Sequence, residues 1–585
     1  MTIENKLLIT TAIKEVRGEE DLILLGEWCK PFDEDGFWKN KQHQVHPYHW
    51  FDPKKVAKDN EYLQEIYEKK LIQLTEDLNK FHGTDFSKRF WRILVGPWLI
   101  SFVSSIWDRW ECVDSFLKSN SQNQFYFKRL NLEPYQPPND FNTSLNQISN
   151  DIWNEKIFSE LLAMNNIKYK QLLAFKGSSY MDSTSSKDLL KNKSFLKKHL
   201  KNIIYILFLR SKRNQKITIY HSYFPKNFLL LLKIRLFNFS SLNAYFDENI
   251  DYVNEANQEH KKFREPDDLK SNFANDFESF LNKKILECMP LAYLEGFRAL
   301  LDKANRIPAS KSIMTANAHF GNEIFKVWAG MQCEKGAKLV ISSHGGAIYP
   351  LFSVFNHQEK IADHRIIWGK AWMEDQITLP PNKLNFKVKK INVDGQVSIF
   401  DTDSLRYSYR CMSASQGPLV NKCLQKTKVL ISELKKHSIN VGVRVKSREN
   451  KLEFFYKNNF GKNILQKNTL PLNKAISLSR LIICTYPQTV YAESMYSGVP
   501  TILVYDPDVW TTQPVYKDLI EDMKNNNLIF EDPFLAARHI KLIYNDTEEW
   551  WRSSEVVNTR NHFKEMCITV DTKKFSQWVN FFKQL

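Results

Sequence analysis

Apolar and polar positions change their period several times along the chain. Two short continuous apolar runs come first, at 7–10 and 22–26, followed by a long polar and aromatic stretch without period. Short apolar runs rich in branched residues read as buried parallel strands, and the stretch after them as a loop. Residues 60–80 and 91–117 then carry apolar positions at helical spacing, which predicts two helices. The second includes Gly96, Pro97 and several serines, too interrupted and too short an apolar run to span a bilayer. Residues 119–150 are polar and predict an excursion or lid-like loop. Residues 187–210 predict a basic helix, 217–224 a strand, 228–237 a helix capped by Asn227, and 264–303 two helices broken at Pro290. Strands and helices then alternate: strand 313–317, helix 323–333, strand 338–342, a strand-rich crossing at 365–369 and 386–393, helix 419–435 and strand 440–446.

The most legible unit is 481–506, LIICTYPQTVYAESMYSGVPTILVYD. An apolar strand is broken at Pro487 and Gln488, Thr489 is placed to cap a helix over 490–497, and Gly498 and Pro500 end it before the next strand. Ligands bind such strand–helix–strand units at the carboxyl ends of the strands. The turn 485–489 offers hydroxyls and free helix N–H groups to a phosphate, aided by roughly half a unit of positive charge. Glu493, one turn further in, is placed for a ribose hydroxyl, and Ser494 follows it. After residue 530, Asp532 and Pro533 read as N-cap and first helical residue, and two helices close the chain.

A second informative stretch is Ser343-His344-Gly345-Gly346, directly after the strand at 338–342. Two glycines let backbone approach a ligand, and the imidazole arrives at the strand's carboxyl end. His344 is therefore a candidate acid/base or an anion donor. Arg444 and Lys446 end another strand and are candidates to hold a leaving phosphate. Glu27 follows the strand at 22–26, Glu323 opens a helix before the HGG strand, and Glu295 lies in LAYLEGF; these three are the candidate carboxylates.

At 585 residues the chain needs more than one core. An α/β fold of two doubly wound domains is expected, 1–390 with helical insertions and 391–547, with helices 548–585 packing back across them. The formal charge of +16 is spread as lysine along the chain, so it reads as a solvated basic surface suited to an anionic substrate or an anionic membrane rather than to nucleic acid. Eight scattered cysteines without a CxxC pair fit reduced thiols in a cytoplasmic protein. The N-terminus has no basic region followed by a long apolar one, so no signal peptide is expected. His43, His46 and His49 match no standard zinc spacing, and no metal is expected.

LLITTA, LLGEWC, FWRILVGPWLISFV with DRW, ANAHFGNEIFKVWA, GAKLVISSHGGAIY, IADHRIIWG, VGVRVK, TVYAES with GVPTI, and EEWW occur in this order. Together they resemble a family of large transferases from surface-polysaccharide gene clusters, similar to GT-B glycosyltransferases and more distantly to the retaining β-Kdo transferases. The chain departs from that pattern in ISSHGGAIYP, which lacks a Gln before the His and a Gly after the Tyr, and in Gly321-Asn322, where an acidic residue is expected. The resemblance implies a GT-B-like cleft, with acceptor on the first domain and nucleotide on the second, held by Arg444, Lys446, Thr485, Gln488, Thr489, Glu493 and Ser494 opposite His344, Gly345 and Gly346. It implies metal-independent transfer of a sugar such as Kdo, or a related acidic sugar, from a nucleotide donor such as CMP-Kdo to a polysaccharide or glycolipid acceptor, with no cofactor; any membrane contact is expected from the charge and the interrupted apolar run to be peripheral. A CDP-glycerol-type glycerophosphotransferase and a nucleotide-sugar 2-epimerase are the alternatives.

Overall fold

Among the described residues, fifteen strands pair in parallel to form three five-stranded sheets. The computed structural model describes residues 6–30, 37–121, 124–174, 214–236, 242–248, 250, 258–265, 276–383, 390–402, 405–446, 451–467, 469–569 and 573–585. The basic helix expected over 187–210 lies outside them, as does part of the crossing expected at 386–393.

The first sheet is built from β1 (Lys6–Ile9), β2 (Leu22–Leu24), β3 (His43–Val45), β4 (Phe125–Asn131) and β5 (Tyr169–Ala174), in the order β3-β2-β1-β4-β5. The second contains β6 (Gln215–Tyr220), β7 (Ser310–Thr315), β8 (Lys338–Ser342), β9 (His364–Ile367) and β10 (Gln376–Thr378), running in chain order from β6 to β10. The third contains β11 (Gln396–Thr402), β12 (Val441–Lys446), β13 (Ser479–Cys484), β14 (Thr501–Val504) and β15 (Ile529–Phe530), in the order β12-β11-β13-β14-β15. The stretch to residue 390 therefore carries two sheets, one more than its sequence suggests. The reversal between β11 and β13 creates a crevice at their carboxyl ends, where open α/β sheets bind ligands.

The second and third sheets turn these carboxyl ends toward each other, the GT-B arrangement. Ile348 N donates to Pro487 O (3.3 Å), Leu351 N to Thr511 O (2.9 Å) and Gln513 N to Tyr349 O (3.0 Å). The chain then crosses back. Lys370 N bonds Met566 O (3.0 Å) and Thr569 N bonds Trp368 O (2.6 Å). A Cβ on Gly369 would lie 2.1 Å from Met566 O, so only glycine admits this passage. The last helix, Lys574–Gln584, buries Trp578, Val579, Phe581 and Phe582 under the second sheet, and Trp578 Nε1 donates to Pro380 O (3.0 Å).

Two sequence expectations need correction. Residues 119–150 are no lid: β4 and a helix at Phe141–Ile148 occupy the described part, the latter opened by an Asp140–Thr143 capping box. Apolar residues of β4 are spaced by Lys and Arg on a half-buried strand, which disguised it. The helix expected over 91–117 is present as one continuous helix, Lys88–Ser119, with Pro97 inside it, and its apolar part is longer than expected from the sequence. This helix is long and apolar enough to cross a membrane, yet its most apolar window is 89% buried inside the protein, so it serves as a core helix. Ser105 satisfies its hydroxyl on Ser101 O (2.7 Å) in the same helix.

Part of the carboxyl edge of the first sheet is filled by the chain itself. Arg406 Nη2 and Tyr407 Oη donate to Asp151 at 2.6 and 2.5 Å, and Tyr48 Oη pairs with Ser408 Oγ at 2.6 Å. Beneath them the fully buried Arg109 bonds Asp108 Oδ2 (2.8 Å), Asn154 Oδ1 (2.8 Å) and the Ser408 carbonyl. Removing one partner of a buried ion pair strands the other. Arg109→Met is expected to destabilise the protein by about 3–5 kcal/mol, read by denaturant melting; a loss below about 1 kcal/mol would mean that the network is dispensable.

Candidate active site

β8 ends at Ser342, and the HGG turn that follows meets the helix that follows β13. The helix runs Thr489–Ser497 with Gln488 as N-cap, one residue before the expected cap, and no side chain caps it. Its first N–H groups thus face outward without a side-chain acceptor. Instead of capping, the Thr489 hydroxyl accepts from Gly346 N across the cleft (3.2 Å). Gly345 packs so closely here that a Cβ would lie 2.0 Å from Thr489 Oγ1, and Gly346 has φ +121°, a conformation that favours glycine. The two stretches singled out from sequence are brought together.

His344 is half-buried. Its Nδ1 lies 3.1 Å from Ala316 O, and its ring stacks on Tyr223 with centroids 5.8 Å apart. A carbonyl only accepts, so Nδ1 carries the proton, and in the neutral ring Nε2 offers a lone pair. Burial, reinforced by Arg365, lowers its pKa from the ordinary 6.5, so the ring is neutral at pH 7. Tyr223 and His221 both have positive φ, 60° and 49°, on the loop after β6. Such left-handed backbone costs about 1–2 kcal/mol per residue and is held here by Asn382, whose Nδ2 donates to Ser222 O (2.5 Å) while Trp368 Nε1 donates to its Oδ1 (3.1 Å). The neighbouring Lys383 reaches across the cleft to Glu493 Oε1 at 2.5 Å.

Sequence reasoning missed Lys383, Tyr223 and His319. Lys383 follows two prolines in an irregular loop, and nothing in its neighbourhood marks chemistry. His319 is fully buried just beyond β7, with neither ring nitrogen hydrogen-bonded and its pKa well below 6.5 through burial and the nearby His357. The segment NAHF after a strand was its only signal.

Other candidates are placed elsewhere. Glu323 is 5% exposed and pairs with Lys326 (2.8 Å) while accepting from Phe141 N (3.2 Å) and Tyr293 Oη (3.3 Å). Burial raises the Glu323 pKa and lowers that of Lys326. Its helix turns this face inward against helix Lys88–Ser119, where Lys326 Nζ bonds Leu94 O (3.0 Å), so Glu323 lies in a helix interface and not beside His344 at the HGG turn. Glu295 is likewise consumed by a bidentate pair with Arg264 (2.6 and 2.7 Å). Glu27 lies at the first sheet, paired with Lys30 at 3.0 Å.

Arg444 donates to the carbonyls of Leu470 (2.6 Å) and Lys467 (3.4 Å). It and Lys446 stand on the edge strand β12, separated from β13 by β11, so neither meets the helix start. Thr485 is 6% exposed and gives its hydroxyl to Asp401 Oδ1 (2.5 Å), whose other oxygen takes the Tyr456 hydroxyl. Burial raises the Asp401 pKa against these bonds. Ser494 is fully buried against Cys484, beneath the helix. Thr485 and Ser494 therefore shape the turn from below, while Gln488, whose side chain has no hydrogen-bond partner among the described residues, is half-buried at the helix start.

The three histidines at 43, 46 and 49 do not converge: His43 bonds Lys41 O (2.8 Å), His46 Ser115 Oγ (3.1 Å) and His49 Asp108 Oδ1 (3.2 Å). Ligand atoms of His49 lie within 4.8 Å of those of Asp108 and Cys112, and of Asp59 and Glu111. Arg109 and Lys55 already neutralise these carboxylates, Lys55 at 2.6 Å from Glu111 and 3.1 Å from Asp59.

A family model described as LIC12162 family transferase matches residues 6–582. No curated protein matches the chain significantly. Among solved structures, the wall teichoic acid polymerase TagF is similar at 10% identity, covering 66% of this chain and 96% of that one with a TM-score of 0.32. MurG of Acinetobacter baumannii is similar at 10% identity, 50% and 77% coverage and a TM-score of 0.28. The spinosyn rhamnosyltransferase SpnG is similar at 9% identity, 63% and 100% coverage and a TM-score of 0.31.

Proposed function

The chain belongs to the LIC12162 family of transferases, and from that premise we propose that it is a glycosyltransferase whose site is the cleft between the HGG turn and helix Thr489–Ser497. The observation that carries this reading is the meeting of His344-Gly345-Gly346 with the uncapped helix start through Gly346 N and Thr489 Oγ1. An uncapped helix N-terminus with a cation beside it suits the phosphates of a nucleotide donor. Lys383, held by Glu493 in this structure, is that cation once a phosphate draws it away, which leaves Glu493 for a ribose hydroxyl, and Gln488 borders the same turn. Charge developing on the leaving phosphate would be met by the helix N–H groups and Lys383 with no need for a metal ion.

His344 then acts as general base. Its Nε2 lone pair takes the proton of the acceptor hydroxyl as the oxygen attacks the anomeric carbon, the bond to the donor phosphate breaks and the nucleotide leaves with the electron pair. The sugar is proposed to be Kdo or a related acidic one, and the acceptor a surface polysaccharide or glycolipid reached from the cytoplasmic side of a membrane. Glycerophosphate transfer from CDP-glycerol is the second reading, because the same phosphate site and base would serve it.

Lys383→Ala tests the site. Loss of a charge-assisted hydrogen bond removes about 1.5–3 kcal/mol, so calorimetric titration with CMP, CDP and UDP should show the tightest of them weakened about 10- to 100-fold. Arg444→Ala should leave its affinity unchanged. The reverse pattern would move the nucleotide to the edge of β12.

A further inference from the structure

We propose that a cavity between the first and third sheets binds a neutral carbohydrate chain. The cavity is an open cleft of about 870 Å³ between the loops after β2 and β3 and two helices of the third sheet's unit, Leu419–Lys436 and Lys451–Phe460. That volume falls within the usual range for small-ligand sites. None of His344, Lys383, Gln488 or Thr489 lines it, so it is distinct from the transfer cleft.

Its lining selects the ligand class. Phe51 is 39% exposed and offers an aromatic face to the cavity. The same cavity is lined by the side-chain amides of Asn421, Gln425 and Asn458, the last two solvent-exposed, and none of these side chains has a protein hydrogen-bond partner among the described residues. An amide both donates and accepts, as a sugar hydroxyl does, and the C–H face of a sugar ring packs on an aromatic one.

The charges are already compensated. Lys30 pairs with Glu27 (3.0 Å), and Lys422 with Asp508 (3.0 Å) and Asp506 (3.4 Å). Burial and the adjacent His49 keep His46 uncharged at neutral pH. An anion would have to break one of these pairs, whereas a polyol can bond to them as they stand. Tyr48, which lines the cavity, is fixed by bonds from its Oη to Asp108 Oδ1 and Ser408 Oγ, each at 2.6 Å. A glycan held here lies on the protein away from the transfer site, as a growing chain or a long acceptor would.

Saturation-transfer NMR on the full chain tests this without turnover, so its outcome is separable from that of the transferase reading. The probes are maltopentaose, mannopentaose, galactotetraose and chitopentaose, with CMP and inorganic phosphate as anions. At least one neutral oligosaccharide is expected to bind. Phe51→Ala and the double variant Gln425→Ala/Asn458→Ala should each weaken it tenfold or more, with melting temperatures and CMP affinity unchanged. The proposal is overturned if none of the four binds, if binding survives both variants, or if phosphate binds and is lost in them.

Discussion

His344→Ala is expected to lower kcat by at least about a hundredfold, the range general bases supply, while KM for the donor and the melting temperature stay near wild type. The expectation rests on its tautomer. Nδ1–H is committed to the Ala316 carbonyl, so the neutral ring presents Nε2 as a lone pair, the form a base requires. Its pKa is depressed below 6.5, mainly by burial, so the protonated, inactive form appears only in acid. For wild type, kcat/KM should rise with pH through a value below 6.5 and be level around pH 7. The variant should lose that acid limb. The same depression has a stability consequence: the unfolded state takes up the proton first, so the histidine's contribution is complete above about pH 6.5 and is lost as pH falls toward the folded pKa. A stable variant with near-normal kcat would make the histidine a bystander, and one that unfolds would make it a core residue.

Gly345→Ala is expected to reduce kcat/KM by about a hundredfold, because displacements near 1 Å at a reacting centre cost that much. The added Cβ would lie 2.0 Å from Thr489 Oγ1, 3.1 Å from its Cβ and 3.2 Å from its Cγ2. Rotating the threonine relieves the first contact and sacrifices its bond with Gly346 N, so the two turns either separate or lose their link. Adding Thr489→Ala to Gly345→Ala should recover part of the loss, a coupling that a double-mutant cycle measures. Equal activities of Gly345→Ala and wild type would show that the turns need not touch.

The sequence made these two turns legible because each carries its signal locally: apolar strand, break, glycine or helix start. It could not place residues whose surroundings come from a distant element. Glu323 opens a helix next to the HGG strand, which looks catalytic, but Lys326 and Tyr293 enclose it in a helix interface. Arg444 ends a strand as a phosphate ligand should, but β12 is an edge strand and its guanidinium closes onto the carbonyls of Lys467 and Leu470. Lys383 has no local signature at all and becomes informative only once Glu493 is seen 2.5 Å away. The first sheet was legible as strands β1 and β2 but not as a separate sheet, since β3 is a three-residue strand in a polar loop and β4 is half-buried. Arg406 and Tyr407 fill part of its ligand-binding edge, contributed by a segment far away in sequence.

Glycosyl transfer is tested most directly by mass spectrometry of products after incubation with a surface-glycan acceptor and CMP-Kdo, UDP-sugars or CDP-glycerol, each in turn. The account predicts that one sugar nucleotide releases its nucleotide only when acceptor is present, and that the acceptor gains the mass of one sugar. Acceptor gaining glycerophosphate from CDP-glycerol alone, or a sugar nucleotide turning over without acceptor, would contradict it.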